Sequence, residues 1–339
     1  MSSISQINAR ETLDSRGNPT VEVDVVLSDG SIGRGSAPSG ASVGSNEALE
    51  LRDDDMDRYG GLGTVNALTI IEEQISPALI GCSALIQSQL DDILISLDGT
   101  TNKSRLGGNV MVSISIAVAH AAAKSIGVPL YQHLSGTLPF TLPIPMFNIL
   151  NGGKHAENST DFQEFMVVPS GINSFKESVR AGAEIYHSMK VLISEKQSIT
   201  TVGDEGGFAP HGSTNREALD LIIAAVEKAG YKPGDECLIA IDVAANELLN
   251  SSGSYDLPGD GRELTAKQLI DEYENLANNY PIYSIEDGIA EHDWASWSTL
   301  TTRLGDKLQI VGDDLYTTNT RLIKKGAKEK SSNSVLIKL

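Results

Sequence analysis

SIEDG (284–288), QIVGDDL (309–315) and SVLIK (334–338) each carry a short apolar run into a charged residue. Residues 282–285 lead into Glu286 and Asp287, and 308–311 lead past Gly312 into Asp313 and Asp314. The third run, 335–337, meets Lys338 directly. Runs of this length, rich in β-branched residues and separated by helical patterns, read as parallel strands alternating with helices. A parallel strand is covered on both faces, so its interior positions are apolar throughout. A charge at its C-terminal tip breaks that pattern where barrel enzymes place their chemistry.

Upstream, the alternation extends back to Pro143 and Pro145. Strands are expected near 145–150, 162–168, 199–203, 238–242, 281–286, 308–313 and 334–338, with helices over 174–195, 215–229 and 265–279. Thr265 and Gln268 have the spacing of a capping box. No GxGxxG follows a strand, which favours a (β/α) barrel over a doubly wound sheet. Residues 143–339 are therefore expected to be a barrel domain. They are fewer than the roughly 250 residues typical of such a barrel, and the last expected strand ends with the chain. The expectation is an incomplete barrel in a truncated chain, or a missing part supplied by something else.

Residues 1–137 read as a small α+β domain. TVEVDVVL (20–27) alternates as a half-buried strand, Asp29-Gly30 is a hairpin signal, and 31–37 is the returning strand. PSGASVGS (38–45) has small residues and no period, as in a mobile loop. Helical patterns cover 65–79, 86–97 and 109–125. By pattern alone this half is a packing module without chemistry of its own.

The chain has 339 residues and a formal net charge of −19, from 26 basic and 45 acidic side chains. That excess disfavours nucleic acid and anionic membrane as partners. It also repels anionic substrates unless cations intervene. Cys82 and Cys237 form neither a CxxC pair nor a disulfide framework. The N-terminus lacks a signal-peptide layout, and the most apolar helical stretch, 111–128, is interrupted by polar residues. A cytoplasmic location with no membrane span is expected.

The acids at strand tips are Asp204 and Glu205 (VGDEGG), Asp242 (AIDVAAN), Glu286 (SIEDG) and Asp313 (VGDDL). Gathered at one barrel mouth they repel one another unless a divalent cation sits among them. Oxygen ligands alone suit Mg²⁺, whereas zinc finds no Cys/His cluster. Taken singly, each acid could instead cap the helix that follows. Lys338, in a dry site beside a cation, would have a lowered pKa and could act as a general base. The bland alternative is a lysine snorkelling from the last strand. His155, in the loop NGGKHA (151–156), could meet a ligand when the loop closes. Gln163 and Glu164 are adjacent in a strand pattern, so at most one faces a barrel interior unless the strand is irregular.

Taken together, DSRGNPTVE (14–22), PSGASVGSNEA (38–48), NGGKHA (151–156), QEFM (163–166), VGDEGGFAP (202–210), SIEDGIAEHDWASW (284–297), VGDDLYTTN (311–319) and SVLIKL (334–339) closely resemble the enolase family. The resemblance implies an α+β domain before a modified (β/α)8 barrel whose second strand runs against the others, here lacking its last β/α unit. It implies a homodimer or higher oligomer, two Mg²⁺ per site, and reversible dehydration of 2-phospho-D-glycerate to phosphoenolpyruvate. By position, Asp242, Glu286 and Asp313 match ligands of the tighter Mg²⁺, and Ser42 matches a ligand of the second. Lys338 matches the base and Glu205 the acid, assisted by Glu164, while His155, Gln163 and Asp314 line the pocket. Val43 stands where the family has threonine, a departure expected to loosen the closed lid. The family's later His-Arg-Ser segment and second lysine would lie beyond Leu339, so this chain is expected to be weakly active or inactive alone. Two other readings stay open: a different lyase of the enolase superfamily, and a non-catalytic surface protein of the kind that binds plasminogen.

Overall fold

The computed structural model describes residues 2–37, 40, 44–156, 158–195, 200–203 and 205–338. The chain divides into two compact units, one from residues 1–40 and 47–141, the other from 41–46 and 142–338. Ser42, Val43 and Asp204 lie outside the described residues.

In the first unit, β1 (Ile4–Leu13), β2 (Pro19–Leu27) and β3 (Ile32–Ser36) form an antiparallel sheet in that order. The alternation of TVEVDVVL buries Val21, Val23, Val25 and Leu27 on one face, as a period of two requires. Strand β1 escapes a reading by pattern because only one of its ten residues is buried. The helix Gly108–Ser125 lies against β2 and β3. A Cβ at Gly33 would fall 2.0 Å from the Ala117 carbonyl oxygen and one at Gly35 2.2 Å from that of Ser113, so glycine is what lets strand and helix touch. The helical pattern over 65–79 is realised as Val65–Ile70, a π-turn at Ile71–Ile75, and Ser76–Leu79. Pro77, without an N–H to donate, stands just past that turn, where the regular helical ladder would be broken.

In the second unit, β4 (Phe147–Asn151), β5 (Glu164–Val168), β6 (Leu238–Asp242), β9 (Ile282–Glu286), β10 (Gln309–Gly312) and β11 (Ser334–Val335) make one six-stranded sheet, ordered β11-β10-β9-β6-β5-β4. A separate hairpin, β7 (Tyr255–Leu257) with β8 (Arg262–Leu264), interrupts the alternation. β5 is antiparallel to both neighbours, and β6, β9, β10 and β11 are mutually parallel. Among the described residues no pairing joins β4 to β11. One sheet face carries Ile149, Phe165, Val167, Ile239, Ile241, Ile285 and Ile310 into the main core. It meets the helices Phe175–Glu195, Asn215–Lys228, Ala266–Asn279 and Trp294–Leu304 through residues such as Met189, Ile222, Tyr273 and Trp297. The opposite face, one residue out of phase, buries Met166, Val168 and Ala240. The expected capping box is present, with Thr265 N–H donating to Gln268 Oε1 at 2.9 Å.

Two expected strands need correction. Over 199–203, residue 199 lies outside the described residues, and Val202 makes only an isolated bridge to Phe208. Glycines at 203, 206 and 207 turn the chain at once, so no run of paired residues can form. Over 334–338, only Ser334–Val335 pair with β10. Lys338 therefore lies beyond the strand, where its N–H donates to Thr318 Oγ1 at 3.0 Å.

Candidate active site

Register brings the acids together. Glu164 pairs across strands with Asp242, and Asp242 with Glu286, so β5, β6 and β9 present three carboxylate residues in a row at one sheet edge. Val311 pairs with Glu286, placing Asp313 two residues further on at the same edge. Reversal of β5 makes this row possible. Its first residue, rather than its last, arrives beside the C-terminal tips of β6 and β9. Glu164 and Asp242 fall on the alternation shared with Met166, Val168 and Ala240, away from the helices.

Asp242 is buried, and both its oxygens accept hydrogen bonds: Oδ2 from Gln163 Nε2 at 2.9 Å and Oδ1 from the Ala244 N–H at 2.9 Å. Burial, then the neighbouring Glu164 charge, still push its pKa up to about 7. Glu286 is pushed up to about 10, by burial first and then by Asp242, Asp287, Asp313 and Glu164. These are carboxylates held together against their charge. Gln163 precedes β5, so it escapes strict alternation, and it and Glu164 both reach the site.

Lys338 Nζ is paired with Asp313 Oδ2. The His155 ring is almost fully buried, with Nδ1 3.2 Å from Glu164 Oε1 and Nε2 4.0 Å from Glu205 Oε1. The Glu164 carboxylate raises the His155 pKa, against burial. Glu205 is half-exposed, and desolvation, followed by its hydrogen bond to Glu164 and that group's charge, raises its pKa. Asp314 Oδ2 accepts from Asn246 Nδ2 at 2.9 Å, and Asn246 Oδ1 accepts from the Glu291 N–H at 2.9 Å.

Two triplets among the described residues bring ligand atoms within 4.8 Å of one another: His155, Glu164 and Glu205, and Asp287, Asp313 and Asp314. Asp287 has another use, since its two oxygens accept the N–H groups of Asp313 at 3.0 Å and Asp314 at 2.9 Å. Its backbone has a φ of 42°, a strained left-handed conformation for a non-glycine residue. Asp242, Glu286 and Asp313 stand on neighbouring tips without forming a triplet of that spacing. Their donor chemistry nonetheless suits a hard divalent cation: all are carboxylates, Asp242 and Glu286 are strongly raised in pKa, and no thiolate or imidazole lies among the three. Pattern reading passed over Asn246, and noted Asp287 at a strand tip without giving it a role. Asp287 had one cue, the Asp-Gly turn at 287–288; nothing local marks Asn246.

Two comparisons bear on this geometry. The family described as "Enolase, N-terminal domain" matches residues 4–134, and that described as "Enolase, C-terminal TIM barrel domain" matches residues 139–339.

Proposed function

From a chain that belongs to the enolase family, and is therefore a lyase-type enzyme acting on a small molecule, we infer reversible dehydration of 2-phospho-D-glycerate to phosphoenolpyruvate, the enolase step of glycolysis. The observation that carries this reading is the row Glu164, Asp242 and Glu286, with the Lys338 amine on Asp313 beside it. Two Mg²⁺ ions, one held by Asp242, Glu286 and Asp313 and the other joined by Ser42, would supply the charge that offsets the doubly anionic carboxylate left when C2 loses its proton.

The chain's own residues do the proton work. Lys338 Nζ takes the C2 proton. Glu205 gives its proton to the C3 hydroxyl, the C3–O bond breaks, and water leaves. A raised pKa suits that role, because an acid at neutral pH must still hold its proton. Glu164, between His155 and Glu205, raises the pKa of both. Gln163 orients Asp242, and Asn246 holds Asp314 at the pocket wall.

The test is C2 hydrogen exchange in deuterated water alongside phosphoenolpyruvate formation, with Mg²⁺ binding followed by calorimetry. Lys338→Ala is expected to abolish exchange and leave Mg²⁺ affinity within about threefold. Loss of metal binding in that variant would make the lysine structural and remove the proposed base.

A further inference from the structure

We propose that Asn151 is a positioning residue: its buried amide sets the turn that bears Glu205, and so governs departure of the C3 hydroxyl but not removal of the C2 proton. This rests on the reaction proposed above. Asn151 is the last residue of β4 and fully buried. Its Oδ1 accepts from the Gly207 N–H at 2.8 Å, and its Nδ2 lies 3.5 Å from the Gln163 carbonyl oxygen it donates to. Its own N–H donates to the Phe208 carbonyl at 2.9 Å, and its carbonyl accepts from Ser159 Oγ at 2.9 Å. One side chain thus ties the tip of β4 to the Glu205 turn and to the residue next to Glu164.

The turn is closed by the Gly203 N–H donating to the Gly207 carbonyl at 2.8 Å. It presses directly on the amide. A Cβ at Gly207 would lie 2.6 Å from Asn151 Oδ1, and one at Gly203 would lie 2.8 Å from both Asn151 Cβ and the His155 carbonyl oxygen. Glu205 sits at the exposed side of this turn, with His155 Nε2 4.0 Å from its carboxylate. Its reach toward a substrate hydroxyl therefore follows wherever the turn is held. Lys338 is held through Thr318 and Asp313, which stand on elements other than the β4 tip and the Glu205 turn. The two proton transfers are separable on that ground.

Asn151→Ala and Gly207→Ala break the same contact from its two sides; Gly207 has no positive φ, and a Cβ there meets the Asn151 amide at 2.6 Å and the Leu150 backbone carbon at 2.9 Å, so Asn151→Ala is the cleaner of the two. Relative to the unsubstituted chain, C2 hydrogen exchange is expected to stay within about threefold, while phosphoenolpyruvate formation falls roughly 10- to 100-fold, as for a displaced catalytic group. KM should move by no more than about threefold, the loss residing in kcat. Equal loss of both rates would overturn the proposal, as would dehydration that stays within threefold. Failure of both variants to fold by circular dichroism would assign the contact to stability and overturn it too. Both variants are made in a version that carries the family's His-Arg-Ser segment and second lysine; an unsubstituted version that neither exchanges nor dehydrates would instead overturn the reaction itself.

Discussion

Asp287 shows how much one loop carboxylate can organise. Its neighbour Glu286 ends a strand, but Asp287 turns back, in a left-handed conformation, and holds two consecutive amides of the next strand tip. Removing it leaves those amides without partners. Asp287→Ala is expected to cost about 2 kcal/mol in a urea titration. It should also weaken Mg²⁺ binding by roughly tenfold or more in calorimetry, because Asp313 loses its orientation. Unchanged metal affinity would mean that Asp313 is held by other contacts. At this scale the strand-tip acids were legible, since a charge closing an apolar run stands out. The partners of Asn151, Asn246 and Asp287 were not, because a polar side chain in a turn acquires its partner only when distant chain arrives.

At the scale of elements, the direction of β5 matters most. An apolar run reads the same whichever way it is inserted, so pattern alone places Glu164 at the wrong end of a parallel strand. Only the family resemblance anticipated the reversal, which the pairing of β5 with β4 and β6 displays. Most other elements formed where periodicity put them, within one or two residues. The expected strands over 199–203 and 334–338 shrank to a bridge and to two residues, where turns and the neighbouring strand tip end the pairing. In the first unit, close approach of β3 to its helix demands glycine. Gly33→Ala is expected to destabilise by about 2 kcal/mol or more, since Cβ meets backbone that cannot swing aside. A thermal melt unshifted by this change would show that the helix can slide away.

For the whole molecule, the acids fall into two populations with opposite pH behaviour. Glu11, hydrogen-bonded to Arg58, is held down to about 2, so its stabilisation is full above about pH 4 and is lost as pH falls toward 2. Asp242 and Glu286 are raised to about 7 and about 10, so the folded state keeps protons that the unfolded chain releases above about pH 4. Their contribution is therefore full below about pH 4 and declines as pH rises above it, lost by about 7 for Asp242 and about 10 for Glu286. With a chelator present, the protein is expected to be more stable at pH 5 than at pH 8 in urea titrations. Mg²⁺ at a hundred times its Kd should restore about 2.7 kcal/mol at pH 8. A chelated protein that is more stable at pH 8 would show that these carboxylates do not repel one another as inferred. No described helix is long and apolar enough to cross a membrane.

The order of most strands and helices, the acidic tips, and the family were legible in the sequence, because periodicity and local motifs need no partner to be read; β1 and the β7–β8 hairpin were not. Tertiary structure decided the rest: which way β5 runs, that Gln163 and Glu164 both lie beside Asp242, and which side chains hold the turns around the acids. Those outcomes depend on hydrogen bonds between residues dozens of positions apart, and the chain specifies them only once the sheet has brought its edges into register.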